Sequence, residues 1–309
     1  MNILSWNWMR SFIALVISSL IVVLLFSKID AQQVWHAVGT SSLGWLALAA
    51  LISLSVNIFL GAAKWQRILR VLGCFLPYRE VLAIRSGCLP LKVVFPLKTS
   101  ELFKVLYLER KKKIAFVRAA SSLLLDKSLN LLVTVGIFLV GLSVVKIAFS
   151  SWIPLAALLT LLIFLFCDRV RNLLMVIPGR IHPRVHQFAQ GLFSGFTEAS
   201  VREKLILICY SLVYQFSEFV NTYILFKAVG LSVPFSLVLV LVPLIMVINN
   251  FPVTVLGLGT REALIIFLFA QYGTPATLLS AGLLVSFIEH VLPVASGLFF
   301  LKTFISHKD

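Results

Sequence analysis

Long stretches without charged residues dominate the hydrophobic pattern of this chain. Residues 11–27, 43–63 and 147–166 contain no Asp, Glu, Lys or Arg. Each is close to the ~20 residues that an α-helix needs to cross about 30 Å of hydrocarbon. None of them alternates apolar and polar residues with the period of two that a membrane β-strand requires. The pattern therefore predicts an all-α polytopic membrane protein.

Two further apolar segments, residues 80–108 and 233–272, are interrupted by proline, glycine and charged residues. Backbone groups freed at such breaks find no hydrogen-bond partner in lipid, so the segments must lie inside protein or line a wet cavity. We predict that each forms a re-entrant helical hairpin, and the competing prediction is a total of eight full spans. The six predicted transmembrane helices lie at about residues 11–27, 43–63, 119–145, 151–167, 205–226 and 275–300.

The two interrupted segments match in spacing. Pro90 lies 11 positions before Glu101, and Pro252 lies 10 positions before Glu262. Broken apolar segments in corresponding positions of two halves are typical of transporters built from inverted repeats, and they point to the binding site. We therefore predict one integral membrane domain, residues 1–309, with repeats at about 43–145 and 205–301 and a basic cytoplasmic loop at 168–204.

Composition and charge support this class and add an orientation. Only 13% of the residues are charged, and the mean hydropathy is +1.02. The net charge of +15 is concentrated in residues 64–85, 98–118 and 169–204. The positive-inside rule makes these regions and both termini cytoplasmic, as expected in a prokaryotic plasma (inner) membrane. Because the basic regions flank predicted spans, their expected partners are anionic membrane lipids and not nucleic acid.

The sequence gives little indication of catalytic or cofactor chemistry. The four cysteines are scattered, without metal or redox spacing, and no nucleotide-binding motif is found. Residues 168–204 contain histidine and glutamate but no compact acid–base or metal motif. We therefore expect no enzymatic activity, no catalytic residue, no metal and no cofactor. An enzyme that acts on a lipid within the membrane is a third, weaker alternative.

Ionisable residues inside the apolar segments are the candidate site. At the centre of a bilayer such a side chain costs at least about 2.5–3.5 kcal/mol. Basic side chains and helix N-termini would bind a headgroup phosphate, carboxylates would accept hydrogen bonds from amines or hydroxyls, and glycines would allow close approach. The predicted substrate-binding residues are Lys98, Glu101, Lys104, Gly257, Gly259, Arg261, Glu262 and Glu289. The residues predicted to relay or pair charge are Arg85, Asp126, Lys127 and Glu218.

Internal ion pairing is the alternative role for these charges. A buried ionised group is strongly destabilising when it has no partner, so pairing alone would explain why it is tolerated. Asn249 and Asn250, beside the second break, are expected to satisfy backbone groups at a helix end. The pairs considered are Asp126 with Lys127 or Arg85, and Glu262 with Arg261 or His290.

Three motifs resemble those of a known family. Lys64-Trp65 followed by Leu69 is similar to its basic-Trp-x-x-x-Leu element. Residues 96–108 resemble its Pro…Gly-Glu…Arg/Lys-x-x-x-Leu segment, and residues 252–262, PVTVLGLGTRE, resemble its signature Pro-x-x-x-Gly-Gly-x-Gly-x-Arg-Glu. Over nearly its whole length the chain thus resembles the lysylphosphatidylglycerol synthase transmembrane family, also called the flippase-like domain family or UPF0104.

The resemblance implies a lipid-translocating membrane domain with two re-entrant elements. Fused members carry a soluble aminoacyl-transferase domain, whereas this sequence ends at Asp309, so we expect a stand-alone member without aminoacyl transfer. Ser100 and Leu256 replace glycines of the family pattern, which makes the substrate less defined than the fold.

The predicted function is that of a lipid flippase or translocase. It would move a phospholipid or lipid-linked headgroup between leaflets through a cavity formed by the two hairpins. The alternative is an ion- or proton-coupled transporter of a small polar solute, in which Glu262 and Glu289 form the relay. A homodimer is a further alternative for the assembled protein.

Overall fold

The computed structural model describes residues 3–91, 100–145, 152–167, 183–249 and 254–306. These residues are overwhelmingly helical, and no strand occurs among them. The prediction of an all-α membrane protein is confirmed.

The helices follow the predicted apolar segments. In chain order the described helices are α1 Ile3–Lys28, α2 Ala31–Gly39, α3 Leu43–Leu54, α4 Gly61–Val71, α5 Tyr78–Gly87, α6 Ser100–Lys112, α7 Phe116–Val145, α8 Trp152–Phe166, α9 Pro183–Glu198, α10 Val201–Ala228, α11 Phe235–Asn249, α12 Thr260–Leu268, α13 Pro275–Ser286 and α14 Leu292–Ser306. Two π-helical turns join consecutive helices: Ser55–Leu60 joins α3 to α4, and Phe287–Val291 joins α13 to α14. Two short 3-10 turns, Val255–Gly257 and Ala270–Tyr272, flank α12.

Three continuous helices in the described part of the chain are long and apolar enough to cross a membrane. They are Leu43–Val71, Phe116–Val145 and Pro275–Leu301, and they contain the predicted second, third and sixth spans almost entirely. A fourth span results if the pair Leu15–Lys28 and Ala31–Gly39, bent by 93°, is counted as one. The full count of six spans and two hairpins stays a prediction.

Both segments predicted to form hairpins contain a helix break. In the first, α5 ends at Gly87 and α6 begins at Ser100; in the second, α11 ends at Asn249 and α12 begins at Thr260. The predicted site residue Lys98, and Asn250 with the three residues that follow it, lie outside the described residues. α11 has only 15 residues, which is short for a full span and suits a hairpin limb.

The chain divides into two compact units. Unit 1 comprises Met1–Val56, Ser86–Ser100 and Ser217–Asp309, and unit 2 comprises Asn57–Arg85 and Glu101–Phe216. This division does not test the predicted repeats at about 43–145 and 205–301, which stay a prediction.

In unit 2, α9 packs along α7. Phe196 is fully buried, and the backbone N–H of Gly195 donates a hydrogen bond of 2.8 Å to Ser121 Oγ. A Cβ atom at Gly195 would lie only 3.0 Å from that oxygen, so glycine permits the close approach. The predicted basic loop at 168–204 thus contains the helix Pro183–Glu198, and this helix packs on a predicted span.

In unit 1, α13 is enclosed by α2 and α12. Ser280 Oγ donates to the carbonyl oxygen of Val34 at 3.0 Å, which ties α13 to α2. On the other side, a Cβ atom at Gly282 would lie 3.2 Å from Glu262 Cα. This close approach places the first turn of α12, with its buried Glu262, directly against α13.

Candidate functional site

Unit 2 contains a cluster of charged side chains centred on Lys64. The buried positions of α4 recur at helical spacing and bring Lys64 and Trp65 against α7. Lys64 is only 2% exposed; its Nζ lies 2.7 Å from Asp126 Oδ1 and also donates to Asn130 Oδ1. Trp65 Nε1 donates to Ser122 Oγ at 3.3 Å. The burial of this lysine is therefore compensated by a carboxylate and an amide oxygen.

Glu101 forms the second part of the same cluster, at the start of α6. Its carboxylate forms an ion pair with Lys104 one turn later, and Lys127 Nζ approaches it to 3.4 Å. A carboxylate is favourable in the first turn of a helix because the free backbone N–H groups there carry partial positive charge. The ammonium group of Lys104 also lies over the Trp65 ring, 5.4 Å from its centroid, in a cation–π contact.

Within the described residues Asp126 forms its ion pair with Lys64, which was not one of its two predicted partners. Of those two, Lys127 lies 3.4 Å from Glu101 and also interacts electrostatically with Asp126, whereas Arg85 donates to the carbonyl oxygen of Asn57. The partners predicted for Asp126 were only charged residues that lie in an interrupted segment or next to Asp126 in sequence. Lys64 was missed because it follows the predicted end of its span, although its position in the Lys-Trp motif was a usable signal.

The charge balance of this cluster favours an anion. Three lysines, Lys64, Lys104 and Lys127, face two carboxylates, Glu101 and Asp126, so the sum is +1. All are held by helices rather than by loops, so their geometry is comparatively rigid. A bound phosphate could replace some of the contacts that Lys104 and Lys127 now make with Glu101.

Unit 1 contains a second buried polar cluster, at the start of α12. Glu262 is 1% exposed; it accepts a 2.6 Å hydrogen bond from the backbone N–H of Gly259 and another from Ser286 Oγ. The carboxylate thus caps the helix by reaching back to the N-cap residue. Asn249 Oδ1 accepts a hydrogen bond of 2.9 Å from the Thr260 side-chain hydroxyl, whereas a backbone group was the expected partner of this asparagine.

The two predicted glycines adopt backbone conformations that favour glycine. Gly257 has φ +77° and Gly259 has φ +89°, in the left-handed region that L side chains rarely occupy. A Cβ atom at Gly259 would lie 3.0 Å from Ile21 of α1. The close approach at this glycine is to another helix of unit 1, and its predicted approach to a substrate stays a prediction.

Arg261 connects the second cluster to the π-helical turn. Its Nη1 donates to Ser286 Oγ at 2.8 Å, and its Nη2 contacts His290 Nε2. Arg261 also interacts electrostatically with Glu262, and with two further carboxylates, those of Glu218 and Glu289. The hydrogen bonds of Glu262 described above come from the backbone amide of Gly259 and from Ser286. Because Ser286 also accepts a hydrogen bond from Arg261, it bridges Glu262 and Arg261, which is one of the partners predicted for Glu262.

Glu289 lies in the π-helical turn and is 8% exposed. Asn221 Nδ2 donates to its Oε1, and Ser53 Oγ lies 3.3 Å from its Oε2 while donating to the carbonyl oxygen of Ile288 at 2.7 Å. Single π-helical turns inside α-helices occur frequently at functional sites. Asn221 and Ser53 were missed because an uncharged polar residue hardly changes an apolar pattern.

Replacing Ser286 by alanine is expected to lower the free energy of unfolding by about 1–2 kcal/mol, because buried Glu262 and Arg261 each lose a hydrogen-bond partner. The measurement is reversible unfolding by SDS in mixed micelles. Ser296→Ala is the matched control, since Ser296 Oγ donates only to the carbonyl oxygen of Pro293 within its own helix. Equal effects of the two substitutions would contradict the role of Ser286.

Metal and thiol chemistry receive no support from the described residues. They contain no group of three or more His, Cys, Asp or Glu side chains that could hold a metal ion. Cys74 lies beyond the end of the span Leu43–Val71, and burial raises the pKa of its thiol, which keeps it protonated and weakly nucleophilic.

Helices long and apolar enough to cross a membrane, together with the absence of strands among the described residues, define an all-α membrane protein. The family model described as "Lysylphosphatidylglycerol synthase TM region" matches residues 11–297. The chain belongs to this family. No curated protein matches the chain.

Proposed function

We propose that this protein is a lipid flippase or translocase, which moves the headgroup of a phospholipid or lipid-linked molecule between the leaflets. The observation that carries the proposal is the cluster of three lysines and two carboxylates in unit 2, with Lys64 buried at its centre. Membership of a family named for the membrane region of a lipid-modifying enzyme supports a lipid-related role.

The lysine cluster would bind the phosphate of the headgroup. Lys104 and Lys127 share Glu101, so an incoming phosphate would replace one carboxylate contact by contacts with its own oxygens. Lys104 is already buried in the unliganded protein, which reduces the cost of desolvating it on binding. The net charge of +1 in the cluster would fall to zero when a phosphodiester with one negative charge binds, so the phosphate would neutralise the cluster.

The cluster at the start of α12 would be a second binding site for polar groups of a headgroup. Glu262 would exchange its hydrogen bond from Ser286 for one from a headgroup amine or hydroxyl. Arg261, which contacts Ser286 and His290 and interacts electrostatically with Glu262, would hold this carboxylate in place. The acyl chains would stay in the lipid throughout.

The same proposal includes the setting of the protein. We place it in the plasma membrane with both termini cytoplasmic, because the basic regions flank the predicted spans on one side. Lipids are its proposed partners, and chemical change of the lipid is not part of the proposed activity. A homodimer stays an alternative to the monomer.

The test is translocation of headgroup-labelled phospholipids in proteoliposomes, detected with an external quencher. Glu101→Gln and Glu262→Gln are each expected to slow translocation by about tenfold or more, the effect of losing one charge-assisted hydrogen bond. Glu198→Gln is the matched control, because Glu198 forms an exposed ion pair with Arg118 and belongs to neither cluster.

The outcome that contradicts the proposal is a wild-type rate equal to that of empty liposomes with zwitterionic, anionic and polyprenyl lipids alike. The coupled transporter of a small polar solute would then be the better hypothesis. Mass spectra of the lipids before and after the assay would detect chemical modification. A modified lipid would contradict the expectation that the protein has no enzymatic activity.

A further inference from the structure

Asn221 carries a buried acceptor that has no donor. Its side chain is 0% exposed, and its Oδ1 has no hydrogen-bond partner among the described residues. The other end of the same amide, Nδ2, donates to Glu289 Oε1. A buried acceptor without a donor destabilises the folded protein, so its presence beside a buried carboxylate needs an explanation.

We infer that Glu289 and Asn221 form an internal proton-binding site, which couples transport to a proton gradient. An amide is suited to both protonation states of a carboxyl group. When Glu289 is ionised, Asn221 Nδ2 donates to it, as in the structure. When Glu289 is protonated, its O–H can donate to Asn221 Oδ1 after the amide rotates by half a turn. The oxygen that has no donor in the first state then acquires one.

The surroundings of Glu289 favour uptake of a positive charge. Arg261 interacts electrostatically with Glu218, Glu262 and Glu289, so three carboxylates share one guanidinium, and the sum is −2 when all are ionised and His290 is neutral. His290, next in the chain, contacts Arg261 and is the remaining titratable group of the turn. One proton on Glu289 lowers the buried charge of this group of residues.

The helices around the turn add no further competing charge nearby. α3 and α13 contain no charged or titratable residue, and on α14 the one charged residue is Lys302 near its C-terminal end, whose side chain is not described. α10 contributes Glu218, one turn before Asn221. Ser53 adds a hydroxyl that donates to the carbonyl oxygen of Ile288 and lies 3.3 Å from Glu289 Oε2.

The proton step is a simple binding reaction. Glu289 takes one proton from the water of one compartment and later releases it to the other, with no other bond formed or broken. This inference rests on the proposed function, in which the driven species is a lipid headgroup. It adds what that proposal lacks, a source of energy and the residues that use it.

Proton binding is tested without any lipid movement. Infrared difference spectra of the purified protein across pH are expected to show the C=O stretching band of a protonated carboxyl group, and Glu289→Gln is expected to remove it. Asn221→Leu, which keeps Glu289 but removes the amide, is expected to shift that band toward the position of a carboxyl group without a hydrogen bond. A spectrum unchanged by both substitutions would overturn the site.

Coupling is tested in proteoliposomes by the distribution of the labelled lipid between leaflets at steady state. If one proton moves with each lipid, a gradient of one pH unit is expected to produce an asymmetry of up to about tenfold in wild type. The asymmetry is expected to be absent in Glu289→Gln and retained in the control Glu198→Gln.

The remaining outcomes separate this inference from the proposed function. Translocation that reaches equal leaflets in wild type despite the pH gradient would overturn coupling and leave the flippase intact. Accumulation driven by a sodium gradient and not by pH would overturn the choice of the proton. If no lipid moves at all while the infrared band depends on Glu289, the proposed function fails and proton binding is supported.

Discussion

Replacing Lys64 by methionine is expected to lower the free energy of unfolding by about 3–5 kcal/mol, the usual effect of removing one partner of a buried ion pair. Lys64 is 2% exposed and interacts with both Asp126 and Asn130. Methionine keeps the volume of the lysine stem but leaves a carboxylate in a low-dielectric environment without its closest cation. The measurement is reversible unfolding by SDS in mixed micelles.

A double-substitution cycle separates the ion pair from packing. Asp126→Asn in the Lys64→Met background is expected to recover much of the loss, because the uncompensated charge is gone. Arg118→Met provides the control, since the Arg118–Glu198 pair has the same 2.7 Å separation but is 44% and 35% exposed. An exposed pair of this kind contributes about 0–1 kcal/mol. Similar losses for Lys64→Met and Arg118→Met would contradict the buried ion pair.

Replacing Gly297 by alanine is expected to lower the free energy of unfolding by about 1–3 kcal/mol, the usual cost of overpacking. Gly297, in α14, lies against the segment that follows α5. A Cβ atom there would be 2.5 Å from the carbonyl oxygen of Ser86, 2.8 Å from Pro90 Cδ and 3.1 Å from Leu89 Cβ. Two of these neighbours are main-chain or ring atoms that cannot rotate away, so helix and segment must separate.

Gly44→Ala is the matched control for this prediction. Gly44 also lies in a helix, α3, and a Cβ atom there would meet nothing within 4 Å. Alanine is favoured over glycine inside a helix by about 1 kcal/mol, so Gly44→Ala is expected to stabilise slightly. The same unfolding measurement applies to both variants. Stabilisation by Gly297→Ala as well would show that the packing of α14 against this segment is looser than described.

The start of α12 could be predicted from sequence because its determinants are local. Two glycines in the run from Gly257 to Glu262 allow the left-handed backbone before the helix, and a glutamate three residues after Gly259 can reach back to its amide. The helix therefore begins where the motif indicates. The charge pairs were harder to predict, since Asp126 has several basic residues nearby in sequence but forms its ion pair with Lys64 from a different helix.

Asn221 shows why part of the site escaped prediction. A single asparagine in the apolar run of α10 has little effect on hydropathy, and its importance comes from the buried Glu289 that it contacts. The same holds for Ser53 and Ser286, each of which bonds to a residue on another helix or turn. Such residues become visible only when the helices that carry them are placed together.

The sequence by itself determined the membrane class, the helices and the positions at which helices break. These properties depend on the apolar content of each segment and on proline and glycine, which act on the backbone within a few residues. Tertiary structure alone decided which charges pair, because the partner of a buried charge is the group that packing brings within a few ångströms. Lys64 beside Asp126 and Asn221 beside Glu289 are decided in this way, as is the burial that makes their charges matter.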